Sequence, residues 1–106
     1  MEKKSAHYPL HRVKAVVADL GMDCFTGSAR RDLVAMGLTP QEALDTIAAL
    51  RPSHCYKSMT TKADHRVWQD VYHCATTAGK AYVKFTLIEP TPEQPTPRVV
   101  ISFKEL

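Results

Sequence analysis

Glycine is scarce in this 106-residue chain, with four residues at positions 21, 27, 37 and 79. They make neither a G-x-G-x-x-G nor a Walker pattern, which excludes the glycine-rich phosphate loops of nucleotide-hydrolysing folds. The three cysteines, Cys24, Cys55 and Cys74, are an odd number with no C-x-x-C spacing. That argues against a secreted disulfide framework and for a reducing cytoplasm. No apolar run approaches the length of a membrane span. The basic opening MEKKSAHYPL leads into no apolar segment, so no secretory leader is expected. Charge of one sign is absent too: 14 Lys+Arg against 11 Asp+Glu leave a net +3. The residues up to Ser53 carry 7 basic and 6 acidic side chains, and those after it 7 and 5. This even balance permits a phosphate-bearing partner without a basic tail or arm.

What is present is ordinary globular material, 44% hydrophobic and 24% charged. The length suits one domain over residues 1–106, with a core that needs neither disulfide nor metal. Leu10, Val13, Val16, Val17 and Leu20 recur at helical spacing, and Gly21 closes the pattern. DCFT reads as a brief strand. Ser28 is a candidate cap for a second helix carrying Ala29, Leu33 and Met36 and closed by Gly37. TPQE is the clearest start signal: Thr39 caps, Pro40 suits the first turn and Glu42 completes a capping box. Leu44, Ile47, Ala48 and Leu50 supply the buried stripe of that helix, and Pro52 prevents its extension.

Beyond Pro52 the chain turns β-rich. HCYKSMTT, AYVKFTLIE and RVVISFKEL are rich in β-branched and aromatic residues. HRVWQDVYH reads as a strand joined to YKSMTT by a tight KAD link, although a helix capped by Asp64 is the competing reading. EPTPEQPTP holds four of the seven prolines and must be a loop, because proline cannot donate to a strand ladder. Helices followed by adjacent strands imply an α+β fold, with N-terminal helices packed on a mainly antiparallel sheet.

His54-Cys55 and His73-Cys74 invite a metal reading. Neighbouring strand residues point to opposite faces, and no zinc-type spacing exists, so no metal is expected. A cysteine nucleophile would need an electropositive pocket and an oriented base, and no local signature marks one. The polar cluster of the β half remains. Lys57, Lys84 and Lys104 occupy interior strand positions, where lysine is depleted. Singly, each reads as a solvated residue whose stem covers apolar neighbours. Together, near Gln69 and Tyr82, they would form a phosphate-binding surface with an aromatic platform.

The segment YKSMTT-x-x-DH-x-x-WQDVY, from Tyr56 to Tyr72, resembles the signature of the MqsR toxins, RelE-like mRNA interferases of bacterial toxin–antitoxin modules. The resemblance continues through Gly79, Tyr82 and Lys84, through SFKE at the end of the chain, and through MEK, His7 and Val13-Lys14 at its start. The proline-rich loop, residues 89–97, departs from the family pattern by its length. The resemblance implies a metal-independent, cofactor-free, cytoplasmic endoribonuclease that cuts mRNA at GCU-type sites. It implies an MqsA-like antitoxin, and operator DNA contacted only through the antitoxin complex. It maps catalytic roles onto Lys57, Gln69 and Tyr82. Lys84, Lys104, His65 and His7 are candidate RNA contacts.

Metal-free RNA cleavage uses the ribose 2′-hydroxyl as nucleophile and leaves a cyclic phosphate and a 5′-hydroxyl. It needs a base, cations at the phosphorane and an acid. Lys57 suits charge stabilisation. Crowding by Lys84 or Lys104 would depress its pKa and let it act as base. Tyr82 would stack on a base or donate a proton, and Gln69 would position the phosphate or read a base edge. Trp68, Asp70 and Tyr72 share the other strand face and read as supports of the fold. The competing function is a non-catalytic nucleic-acid-binding regulator acting with a partner protein, since fold alone does not fix activity.

Overall fold

The computed structural model describes residues 1–106. The chain runs β1 (Glu2–Lys3), α1 (Leu10–Leu20), α2 (Gly27–Ala35), α3 (Pro40–Ala48), β2 (Cys55–Thr60), β3 (Trp68–Thr76), β4 (Gly79–Ile88) and β5 (Arg98–Glu105). The strands form one sheet in sequential order β1-β2-β3-β4-β5, with every pairing antiparallel. Three helices cover one face, as the α+β reading expects.

The local signals explain most elements. Thr39 and Glu42 close a capping box at the start of α3, which satisfies two backbone donors that the helix leaves unpaired. Gly21 follows α1 at φ 59, a left-handed conformation that glycine adopts without strain. β4 alternates as its sequence does: Ala81, Val83, Phe85 and Leu87 are buried, while Tyr82, Lys84, Thr86 and Ile88 are half exposed. The inward set meets Val13, Val16 and Val17 of α1, Leu33 of α2 and Ile47 of α3 in one core of 20 buried residues.

Four expectations need correction. DCFT is not a strand. Residues Gly21–Cys24 form a 3-10 turn, and only Phe25 makes an isolated parallel bridge, to Ile101. The cap of α2 is Thr26 rather than Ser28. Thr26 is extended and its hydroxyl accepts from Ala29 N at 3.1 Å, so the helix begins at Gly27. β3 starts at Trp68 rather than His65. The Asp64 carboxylate accepts from Arg66 N, while Thr61 Oγ1 accepts from Asp64 N, and these bonds hold a turn where the strand was expected. Ala48 is exposed; the buried stripe of α3 and its exit is Ala43, Ile47 and Leu50.

The proline-rich loop is a small closed turn. Thr91 and Gln94 exchange backbone hydrogen bonds at 2.8 and 3.1 Å. An ion pair of 3.0 Å from Arg12 to Glu89 ties its start to α1.

Candidate functional site

The helices leave the second face of the sheet uncovered, and strand register decides what stands on it. Lys57 lies opposite Val71, and Val71 opposite Lys84, which faces Ser102. The next rank is His73, Tyr82 and Lys104. Gln69 stands beside Met59 in the rank on the other side. Lys57, Gln69, Tyr82, Lys84 and Lys104 therefore share one face, although they come from four strands.

A break in register adds a residue that alternation would have hidden. Between Cys55 and Lys57 the β2–β3 pairing shifts, so two β2 residues oppose one on β3. Such a bulge re-aims a side chain. Cys55 stays against the core, whereas Tyr56 turns outward and stacks on His73, with ring centroids 4.3 Å apart and planes 17° apart. Tyr82 flanks His73 from β4 at 5.8 Å and 42°. Lys104 Nζ lies over the Tyr82 ring at 4.9 Å, within cation–π range. Ser28 and Asp32 of α2 join Tyr82, Lys84, Ser102 and Lys104 around a shallow cavity of 220 Å³ at the β5 side.

Lys57 has a carboxylate partner. Its Nζ donates to Glu2 Oε1 at 2.8 Å. This hydrogen bond raises the Lys57 pKa and lowers that of Glu2. The expected depression of Lys57 by its fellow lysines is overturned. Lys84 stands two strands away, about 10 Å at the usual strand spacing, while Glu2 touches the ammonium. Lys57 is thus a firmly held cation, suited to charge stabilisation and not to proton abstraction.

The reverse face carries a latch. Asp70 is fully buried. Its carboxylate accepts from His7 N at 2.9 Å, from Tyr8 N at 2.9 Å and from Ser58 Oγ at 2.6 Å. Tyr8 Oη donates to the Trp68 carbonyl oxygen at 2.9 Å. These bonds pin the segment between β1 and α1 across the sheet, directly behind Gln69 and Val71. Tyr72 is fully buried in the core, and its burial pushes the phenol up to about 12. Trp68 is only half buried. His7 stacks on it at 4.9 Å, and Lys3 Nζ lies over its ring at 4.5 Å.

Two of the candidate RNA contacts stand off the open face. His7 is exposed beside Trp68 on the helix side of the sheet, where burial and the Lys3 ammonium lower its pKa. His65 is exposed in the loop between β2 and β3. His73 and Cys74 point to opposite faces, the histidine outward and the cysteine into the core. No group of three or more His, Cys, Asp or Glu side chains converges.

Sequence reasoning missed Glu2, Tyr56 and His73. His73 was findable, since it has the parity of Gln69 on one strand. Tyr56 required the bulge, and Glu2 required the pairing of β1 with β2.

The family described as "Motility quorum-sensing regulator, toxin of MqsA" matches residues 5–105. The mRNA interferase toxin MqsR of Escherichia coli (strain K12) is 37% identical over 105 residues, which cover 99% of each chain.

Proposed function

The chain belongs to the MqsR toxin family, and from that premise we propose how its open face cuts RNA. The protein is the toxin of a toxin–antitoxin pair and an mRNA endoribonuclease. The observation that carries the site assignment is the gathering of Lys57, Lys84, Lys104, Gln69 and Tyr82 on the one sheet face that no helix covers. An uncovered cationic face with aromatic side chains suits a single-stranded backbone and its bases.

In this reading Lys57 stabilises the charge that builds on the phosphorane oxygens as the 2′-oxygen attacks. Gln69, with one donor and one acceptor end, positions the scissile phosphate. Tyr82 donates its proton to the departing 5′-oxygen. Lys84 and Lys104 hold flanking phosphates. His65 and His7 are assigned to RNA running past the sheet, since neither stands on the face itself. GCU-type sites are the proposed targets, and no metal or cofactor takes part. The reading extends to an MqsA-like antitoxin as neutralising partner, to operator DNA contacted only through that complex, and to the cytoplasm as the place of action. No helix is long and apolar enough to cross a membrane.

The test is cleavage of a GCU-containing RNA by purified protein in EDTA. Discrete fragments with 5′-hydroxyl ends are expected, and a GCU-free control RNA should survive. Intact RNA, together with salt-sensitive DNA binding by the protein alone, would instead support a non-catalytic regulator.

A further inference from the structure

The residues assigned so far include a cation, a positioning amide and a proton donor, but no group that accepts the 2′ proton. We propose that His73 is that group, the general base of the cleavage reaction; this rests on the proposed cleavage by the open face. Three observations carry it. His73 stands on that face, cross-strand from Tyr82. Its ring lies between two tyrosines, Tyr56 at 4.3 Å and Tyr82 at 5.8 Å, which restricts its rotation before substrate arrives. The histidine rings that hydrogen-bond within the protein are those of His7 and His54, so the half-buried His73 ring spends neither nitrogen on a partner within the chain.

The surroundings fit the role. Tyr56 and Lys57 face His73 from β2, Lys80, Tyr82 and Lys84 share its face from β4, and Lys104 lies beyond Tyr82 on β5. Among these groups are four cations; the nearby carboxylates are Glu2, paired with Lys57, and Asp32 of α2, which lines the cavity with Tyr82, Lys84 and Lys104. These cations would hold an RNA phosphate next to the ring. Imidazole is also the side chain whose ordinary ionisation falls nearest neutral pH.

A neutral His73 nitrogen takes the proton of the ribose 2′-hydroxyl as the 2′-oxygen forms its bond to phosphorus. The bond from phosphorus to the 5′-oxygen breaks, and that oxygen takes the Tyr82 hydroxyl proton. The products are a 2′,3′-cyclic phosphate and a 5′-hydroxyl. The imidazolium proton then returns through solvent to the Tyr82 phenolate, which resets both side chains.

The experiment compares wild type, Lys57→Ala, His73→Gln and His73→Phe on a GCU-containing oligoribonucleotide from pH 5 to 9. His73→Phe retains a ring between the tyrosines, so it separates lost packing from lost proton transfer. Both His73 variants should cut at least about 100-fold more slowly near pH 7.5, the usual scale for losing a positioned base. Wild-type kcat/KM should rise with pH on its acidic limb, as the base loses its proton, and the variants should lose that limb. If either folded His73 variant cuts within about threefold of wild type with the limb intact, while Lys57→Ala is impaired, His73 is not the base and the cleavage face stands. If wild type itself cuts no RNA, the cleavage reading falls and this inference falls with it.

Discussion

Lys57 is pulled two ways, since its ammonium bonds Glu2 at 2.8 Å in the free protein and would bond phosphate in the complex. Glu2 is therefore a competitor as well as a stabiliser of the charged form. Replacing Lys57 by Ala should lower kcat by about 100- to 1000-fold, as loss of one donor to developing charge commonly does, with little change in Tm. Glu2→Gln should do the reverse at the binding step, with KM falling about two- to fivefold and a steeper dependence on salt. The carboxyl itself gives a direct check. Its pKa lies below the ordinary 4.5 because Lys57 favours the ionised form. Any stability that this shift contributes is present above that ordinary value and is lost as pH falls through the lowered one. In Lys57→Ala, the NMR titration of Glu2 should move back up towards 4.5.

Among the elements, β3 does most to organise the site. Its outward residues Gln69 and His73 belong to the open face, and its inward residues Asp70 and Tyr72 belong to the latch and the core. Asp70→Ala would leave two part-buried backbone N–H groups and a buried hydroxyl without their acceptor. The expected cost is on the order of 3 kcal/mol, measurable by denaturant unfolding. Because the latch leads directly into β1, folded Asp70→Ala should also lose the Glu2–Lys57 pair, so Glu2 should titrate near its ordinary value. The proline-rich loop behaves differently. Its residues are mostly exposed and its one ion pair lies at the surface. Replacing residues 90–96 by a short glycine-containing turn should shift Tm by no more than a few degrees, since surface loop length changes closure entropy only slowly.

For the whole molecule, stability rests on the single core between helices and sheet. Leu33 and Phe85 are almost fully buried there. Leu33→Ala should cost roughly 2–5 kcal/mol and Phe85→Ala roughly 3–5 kcal/mol, enough to lower Tm by tens of degrees in a domain of this size. Alkaline pH should weaken the same core. Burial raises the Cys24 and Cys74 thiols above their ordinary 9.0 and Tyr72 to about 12. Each prefers to stay protonated when folded, so the stability tied to these shifts is intact below pH 9 and is lost as pH rises towards 12. A Tm profile from pH 7 to 11 should therefore decline above about 9, and a flat profile would count against this account.

The elements whose causes are local were legible in the sequence. The Thr39 capping box, the glycine after α1, the alternation of β4 and the MqsR signature depend on residues a few positions apart, so the order of letters is enough to specify them. The shared face of Tyr82 and Lys84 follows from the same two-residue period. The sequence also separated Gln69 from Trp68, Asp70 and Tyr72, because one strand cannot turn neighbours to the same side. Only the tertiary structure decided the register between strands, and therefore that Lys57, Tyr82 and Lys104 share one face in neighbouring ranks. It alone placed Glu2 on Lys57 and the His7 and Tyr8 amides on Asp70, across separations of 55, 63 and 62 residues. The bulge that turns Tyr56 onto His73 was equally hidden. Register is settled by the best joint burial of all five strands and three helices, and no single segment carries that information.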